Sequence, residues 1–402
     1  MKRRDLIKTS LLTLGASSLA LSGCNNSSVS GLNQNKELNV SDIIPKQTAT
    51  YEFSTPLPFN YKTIDEIIEL NSGLKKSRVM SFHNNTPLPL ASKFNQWVQV
   101  NRGINKSITT YDDFSKFVKY SIDNGFQFTY LMNSPKPFSE DDFKTFEYEF
   151  KYVLDLLHKI GCRDIKVANT QVADLINDIT KGAFNLSVST AFEYHNIAQY
   201  KYLFNNHGNF NLIDISNDDN QNFDLLKSFR LAFPDKKLEL MINEPCIKGC
   251  PARISHISEL NFCRFNCGKV KENIGSMEFF LKTGSIYPWN LEYYSALGIN
   301  NFKFCAPQLS EGRANYTDTS YLRNYLRIVE EGINDTDTNT FFNGIYKAGI
   351  DIRNNIRLSS IKDILPDIKY FIKHGYNCAK NCMAVCNYCN LCAKRLENLL
   401  YG

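Results

Sequence analysis

The sequence predicts an α/β fold, a TIM-like (β/α) barrel with a Cys-rich C-terminal extension. From about residue 110, strand-like segments recur at intervals of roughly 20–40 residues with helical segments between them, which is typical of a parallel sheet. No Gly-rich phosphate-binding turn follows an early strand, as it would in a dinucleotide-binding sheet. The number of strand–helix units therefore favours a closed barrel over a doubly wound open sheet.

Helical spacing of apolar side chains defines the helices. The clearest one follows Ser139, a favourable N-cap residue, and begins with Glu140, Asp141 and Asp142, whose charges stabilise a helix N-terminus. Gly161 ends it. The predicted helices cover 112–122, 140–160, 172–179, 196–205 and 223–233. These lengths suit the outer helices of a barrel.

Short runs rich in β-branched and aromatic residues alternate with these helices. The predicted strands are 126–131, 164–168, 184–190, 212–215, 237–242 and 301–304. The region 51–105 comes before them and is expected to complete the barrel with a first strand near 79–82. The predicted organisation is a signal peptide at 1–23, a flexible tether at 24–50, a barrel at 51–370 and a Cys-rich cluster segment at 371–402.

The first 23 residues resemble an export signal. Arg3 and Arg4 precede an apolar stretch at 11–21 that is too short for a permanent membrane span. The arginine pair resembles a twin-arginine motif, and Leu-Ser-Gly-Cys at 21–24 resembles a lipoprotein processing box that would leave Cys24 lipidated. An ordinary secretory signal with a chance cysteine is the alternative. The expected location is the periplasmic face of a bacterial membrane, with a lipid anchor. Twin-arginine export moves folded proteins, so a cofactor can be inserted before export.

Cysteines form a central group in the chain. Cys246 and Cys250 are followed after twelve residues by Cys263 and Cys267, and Cys305 follows a later strand. Because this group comes after the strand at 237–242, we expect it at the C-terminal face of the barrel. Thiolates at this spacing suit an iron–sulfur cluster or tetrahedral zinc, with disulfides as the alternative.

A second group lies near the C-terminus. Its five cysteines fall within fifteen residues, too close together to pair with one another easily. They are Cys378, Cys382, Cys386, Cys389 and Cys392. A metal site, either a second [4Fe–4S] cluster for electron transfer or zinc, is the expectation. Cys162, in contrast, is expected to be an ordinary buried thiol.

Three other residues are weaker catalytic candidates. Glu244 ends a strand beside Cys246, His256 lies between the two CxxxC pairs, and Arg313 follows Cys305 and could hold an anionic group. A loop histidine and a solvated loop charge are the alternatives for His256 and Arg313. The sequence contains no recognisable Ser/His/Asp arrangement, P-loop or HExxH motif.

The Asn-Glu-Pro-Cys strand end at 243–246, with Cys250, Cys263 and Cys267, resembles the collagenase-like peptidase family (peptidase family U-thirty-two). Asn-Phe-Lys-Phe at 301–304 ahead of Gly-Arg at 312–313 adds to the resemblance, which covers roughly 110–330. It implies a TIM-like barrel. In several members it also implies a [4Fe–4S] cluster that supports oxygen-independent hydroxylation of ubiquinone precursors or RNA bases. Peptidase activity is claimed for a few members.

By position, Cys250, Cys263 and Cys267 match the cysteines of that family, which leaves Cys246 or Cys305 as a fourth ligand. The chain departs from the family in its short Cys246–Cys250 spacing, in Cys305 where an acidic residue is usual, and in its signal peptide.

The resulting prediction is an exported iron–sulfur barrel protein, for which the resemblance implies redox or oxygen-independent hydroxylation chemistry. The alternatives are a zinc- or disulfide-stapled lipoprotein without enzymatic activity, and a peptidase. The expected partners are a lipid anchor, a small-molecule or peptide substrate of unknown identity and an electron-transfer partner. The net charge is only +5 and no dense basic run follows the first four residues, so no nucleic-acid partner is expected.

Overall fold

The computed structural model describes residues 43–85, 97, 108, 110–208, 210–250, 253, 270–305, 318–381 and 386–402, with the side chains of 375–381 excepted. The predicted signal peptide, Cys24 and the tether up to residue 42 lie outside these ranges. Within the described ranges, no helix combines the length and the hydropathy that crossing a bilayer requires. The predicted export signal and domain boundaries stay predictions.

Eight parallel strands form a closed barrel in sequence order, which confirms the predicted TIM-like fold. The first strand pairs with the second on one side and with the eighth on the other. The strands are β1 Tyr51–Pro56, β2 Ser77–Asn84, β3 Gln127–Met132, β4 Asp164–Val167, β5 Asn185–Val188, β6 Phe210–Ile215, β7 Lys237–Met241 and β8 Asn301–Lys303. Their carboxyl ends therefore meet at one mouth of the barrel.

Helices alternate with the strands, and all five predicted helices are confirmed to within two residues at their beginnings. In the described ranges the helices are α1 Tyr61–Gly73, α2 Tyr111–Asp123, α3 Glu140–Lys159, α4 Thr170–Thr180, α5 Ile197–Asn206, α6 Phe223–Ala232, α7 Ser276–Leu281, α8 Leu291–Ala296, α9 Ser320–Glu331, α10 Leu358–Ile361, α11 Ile368–Asn381 and α12 Tyr388–Tyr401. The predicted N-cap Ser139 forms a capping box with Asp142, because each side chain bonds the other residue's backbone N–H.

The first strand of the barrel begins earlier than the predicted one near 79–82. The segment 79–82 belongs to β2, and the first strand is β1. Its residues alternate, with Phe53 buried among outer aromatic rings while Glu52 and Ser54 line the barrel interior. This short alternating segment lacks the continuous apolar run expected of a parallel strand buried on both faces. The prediction of the first strand was wrong for that reason.

Charged side chains cross the interior of the barrel. The Lys166 ammonium on β4 contacts both Asp214 on β6 (Nζ–Oδ2 2.9 Å) and Glu239 on β7, and the Lys303 ammonium on β8 lies 3.1 Å from the same Asp214 oxygen. All four residues are buried. Most TIM barrels fill this space with branched apolar residues. Here the ion pairs join β4 to β6, β4 to β7 and β6 to β8, which are not adjacent in the barrel.

The pairing keeps these groups charged despite their burial. Burial alone would lower the pKa of Lys166, but Asp214 and Glu239 outweigh it and hold this pKa above its usual value. Burial would likewise raise the pKa of Asp214, yet Lys166 and Lys303 hold it below its usual value. The barrel interior is therefore a compensated ionic network.

A polar cavity of about 340 Å³ lies at the amino ends of the strands, on the side opposite the mouth where the carboxyl ends meet. Its lining includes the first residues of five strands. They are Gln127, Asp164, Asn185, Lys237 and Asn301. Lys166 and Glu239 form part of the same lining. The ionic network thus separates this lower cavity from the upper half of the barrel.

We expect Lys166→Met to lower the free energy of unfolding by about 3–5 kcal/mol, because it leaves Glu239 buried without its cation. The matched control is Lys151→Met on α3. Lys151 pairs with Glu147 at 2.6 Å on the exposed helix surface, so its loss should cost less than about 1 kcal/mol. Urea unfolding of both variants measures the difference. Equal losses would show that the interior network does not stabilise the barrel.

Candidate functional site

Polar and thiol side chains gather where four adjacent strands end. Glu193 and His195 follow β5, Asp218 and Asp219 follow β6, and Glu244 and Cys246 follow β7. Cys305 follows β8. Parallel strands bring these loops to one mouth, which is where TIM barrels carry their chemistry. Glu244 is thus at the position that the sequence predicted.

Arg253 is the centre of the charged part of this site. Only 3% of it is exposed, and its guanidinium faces three carboxylates. Nη2 donates to Asp218, Nη1 lies 3.6 Å from Glu244 Oε2, and Nε lies 3.8 Å from Glu193 Oε1. Burial alone would lower the pKa of Arg253, but Glu244, Asp218 and Glu193 together raise it above its usual value. The guanidinium therefore holds three loops together.

His195 connects this network to the surface. Its Nδ1 lies 2.8 Å from Asp219 Oδ2, and its Nε2 lies 3.4 Å from Glu193 Oε2. Hydrogen bonds to Asp219 and then to Glu193 raise the pKa of His195 to about 10. The side chain is 44% exposed, so the site can be reached from solvent.

Within the described part of the chain, one group of three residues brings its ligand atoms within metal-binding range of one another. It consists of Glu193, His195 and Asp218, whose ligand atoms all lie within 4.8 Å of each other. The sequence did not single out these residues. A signal was available, because Glu-x-His at 193–195 and Asp-Asp at 218–219 directly follow predicted strands.

Three of the predicted central cysteines, Cys246, Cys250 and Cys305, follow β7 and β8 and lie at the same mouth. Cys246 and Cys305 are buried, and Cys250 is half-buried. The side-chain oxygen of Asn243 accepts a hydrogen bond of 2.7 Å from the backbone N–H of Cys305, which joins the two cysteine-bearing segments. No three thiols of the described ranges lie close enough to share one metal ion.

The loop that carries Cys246 and Cys250 packs against the segment after α7. Ile247 forms an antiparallel bridge with Thr283, and the Lys248 backbone N–H donates to Lys282 O at 3.1 Å. The backbone of Gly284 lies against Asn217, where an added Cβ would be 2.4 Å from the Asn217 carbonyl oxygen. This close approach fixes the short 3-10 helix Asn217–Asp219, which carries two carboxylates of the site.

The helix that carries Cys389 and Cys392 also contacts this part of the structure, at the end of α7. Helix α12 packs on α7, and the Cys389 thiol donates to Leu281 O at 3.4 Å, two residues before the bridge to Ile247. The Cys386 sulfur lies 3.7 Å from the Tyr370 hydroxyl, and Cys392 is buried.

Helix α11 packs on α6 and on Asn217–Asp219. The Lys248 ammonium lies 4.7 Å from the centre of the Phe371 ring. The loop between Cys246 and Cys250 and the thiol of Cys389 therefore both contact the 281–283 segment.

Several predicted residues lie outside the described ranges. They are Cys24, His256, Cys263, Cys267, Arg313 and Cys382, together with the side chain of Cys378. Their predicted roles stay predictions. Cys162 is described, and it is the buried thiol that the sequence indicated: its sulfur lies 3.4 Å from Phe128 O, and burial raises its pKa to about 12.

The barrel interior also contains a serine–histidine contact that the sequence did not indicate. Ser54 Oγ on β1 lies 2.8 Å from His83 Nδ1 on β2, and both residues are buried. The two residues are 29 positions apart, so only strand pairing brings them together.

No family model matches the chain, and no curated protein matches it. Solved structures match the chain at low identity and with TM-scores below 0.5. A U32 peptidase is 12% identical with a TM-score of 0.41, over 64% of this chain and 93% of that chain. An N-acetylneuraminate lyase from Fusobacterium nucleatum is 13% identical with a TM-score of 0.34, over 88% and 97%. A D-psicose 3-epimerase from Clostridium cellulolyticum H10 is 13% identical with a TM-score of 0.34, over 74% and 96%. At these values the similarities carry no conclusion about activity.

We expect Gly284→Ala to lower the free energy of unfolding by about 1–3 kcal/mol, because the new methyl group displaces Asn217 and its 3-10 helix. Gly73→Ala at the end of α1 is the control. It meets nothing within 4 Å, so stability should stay the same or rise by up to about 1 kcal/mol. Chemical denaturation compares the two. If Gly284→Ala were as stable as Gly73→Ala, the contact between Gly284 and Asn217 would be too loose to position the site.

Proposed function

We propose that this protein is an exported barrel enzyme with an iron–sulfur centre at the C-terminal mouth, where it performs redox or oxygen-independent hydroxylation chemistry. The observation that carries the proposal is that Cys246 and Cys305 lie on the loops after the adjacent strands β7 and β8. Asn243 joins these loops directly, and Cys250 follows on the first of them. A cluster needs several thiolates from segments held in a fixed relation, and this geometry supplies such segments.

The residues that would hold the cluster are Cys246 and Cys250, with Cys263 and Cys267 from the same predicted group and Cys305 as a substitute. When bound, the cluster would supply one-electron transfer. The five terminal cysteines would hold a second cluster. The contacts of Ile247 and Cys389 with the same 281–283 segment favour an electron path between the two groups.

The chain's own charged residues would bind and orient the substrate beside this centre. Glu244 lies two positions from Cys246, and Cys246 also acts electrostatically on Arg253. Because Arg253 is buried and surrounded by carboxylates, it would hold Glu244 and Asp218 in position and would leave substrate contact to the more exposed His195. A partly exposed imidazole between two carboxylates can hold or release a proton at Nε2.

The export part of the proposal depends on the first 24 residues. If Cys24 is lipidated, the full chain expressed in a bacterial host will be found in the membrane fraction. Cys24→Ser should then move the protein to the soluble fraction, because the acyl anchor is lost. Fractionation followed by mass spectrometry of the N-terminus measures this. Membrane association that is unchanged in Cys24→Ser would contradict the lipoprotein proposal.

Anaerobic purification tests the cluster. We expect iron and acid-labile sulfide in the full chain, with a broad absorbance at roughly 400 nm. The double variant Cys246→Ser/Cys305→Ser should lose most of the iron, sulfide and absorbance that the mouth contributes. Cys162→Ala is the control and should keep them, because this buried thiol lies elsewhere in the barrel.

Three results would replace the proposal. A colourless protein that contains zinc in place of iron and sulfide would indicate a structural zinc site. Cysteines that are all blocked to alkylation before reduction would indicate disulfides. Cleavage of a peptide panel by colourless protein would indicate a peptidase.

A further inference from the structure

A second group of candidate metal ligands, which includes no cysteine, lies at the mouth of the barrel. We propose that Glu193, His195 and Asp218 bind one divalent transition-metal ion, separately from any iron–sulfur cluster. The three residues come from the loops after β5 and β6, and their ligand atoms lie within 4.8 Å of one another. Two carboxylate oxygens and one imidazole nitrogen are a ligand set that first-row divalent ions accept.

The side chains around the group orient these ligands. Asp219 Oδ2 lies 2.8 Å from His195 Nδ1, so it accepts the Nδ1 proton and leaves Nε2 for a metal. A carboxylate behind the imidazole is the usual outer partner of a metal-ligating histidine. Arg253 Nη2 donates to Asp218 Oδ1, which leaves Oδ2 available. Asp219 therefore orients the His195 imidazole through Nδ1, and Arg253 orients the Asp218 carboxylate through Oδ1.

Buried polar atoms without hydrogen bonds lie in the same cluster. Glu244 is 6% exposed, and its Oε2 accepts no hydrogen bond although Arg253 Nη1 is 3.6 Å away. Glu193 Oε1 is also buried and accepts none, with Arg253 Nε at 3.8 Å. Such atoms are uncommon in native proteins and often indicate an ion or water that completes the network.

The charge of the cluster points to a cation. Glu193, Asp218, Asp219 and Glu244 supply four carboxylates. A metal-bound imidazole has lost its Nε2 proton, so the Arg253 guanidinium is then their one cationic partner in the cluster and three negative charges remain. Removing charge from water without compensation is costly. A divalent ion would compensate two of these three charges. The exposed edge of His195 gives such an ion a path from solvent.

Mn²⁺ is the probe, because it prefers carboxylate and imidazole ligands while thiolates bind it weakly. The full chain is purified, depleted of adventitious metal and titrated with Mn²⁺ while electron paramagnetic resonance measures the free ion. We expect one site in the wild-type chain. His195→Asn should abolish it, and Asp219→Asn should weaken it by about 10–100-fold, because Asp219 orients the imidazole without binding the ion.

His207→Asn is the matched control. His207 Nδ1 also pairs with a carboxylate, Asp174 at 3.0 Å, but it belongs to no group of three ligands, so Mn²⁺ binding should be unchanged. The double variant Cys246→Ser/Cys305→Ser should also keep the Mn²⁺ site, and His195→Asn should keep the absorbance of any cluster. Failure of this proposal can therefore be distinguished from failure of the iron–sulfur proposal.

Two outcomes would overturn the inference. One is a wild-type chain that takes up no Mn²⁺, which would make Arg253 and His195 the complete charge partners of the carboxylates. The other is equal binding by wild type and His195→Asn. Because His195 is partly exposed, its substitution should leave the fold intact, and thermal unfolding of each variant checks this.

Discussion

The buried ionic network inside the barrel is the interaction on which the rest of the structure depends. Lys166, Asp214, Glu239 and Lys303 come from four different strands and meet in the interior. Each ion pair can form in only one register of the strands, because a shift of a strand by one residue would turn its charged side chain to the outer face of the barrel. The network therefore sets the relative heights of β4, β6, β7 and β8. Those heights decide which residues after each strand arrive at the mouth.

At the mouth, polar and charged side chains join neighbouring loops, as the interior ion pairs join strands. Arg253 holds the loops after β5, β6 and β7 through three carboxylates, while Asn243 joins the loops after β7 and β8 through a backbone hydrogen bond. The interior network has two ammonium groups for two carboxylates, with principal distances close to 3 Å. The Arg253 cluster has longer contacts to Glu193 and Glu244 and keeps excess negative charge near solvent. In TIM barrels, functional residues commonly lie on loops held by the strands.

Much of the barrel could be predicted from the sequence. The helices and six of the strands follow from local periodicity, because each stripe of apolar residues faces the same core and each break coincides with a turn residue. The strand β1 was missed, since its inward positions are Glu52 and Ser54 and its pattern resembles a half-exposed strand. The placement of Cys246 and Glu244 followed from one rule, that residues after a parallel strand reach the mouth. The same rule applied to 184–190 and 212–215 would have found Glu193, His195, Asp218 and Asp219.

By itself, the sequence determined the class of fold, the order of the elements and the grouping of the cysteines, because these depend on local patterns and spacing. Only the tertiary structure decided which distant residues meet. His195 is 24 positions from Asp219 and Arg253 is 35 positions from Asp218, yet each pair is in contact. The reason is physical: strand closure converts sequence separations of tens of residues into neighbouring positions around a ring. Ile247 and Cys389 are more than 100 residues apart, and they likewise contact one segment at 281–283 only because α12 packs against α7.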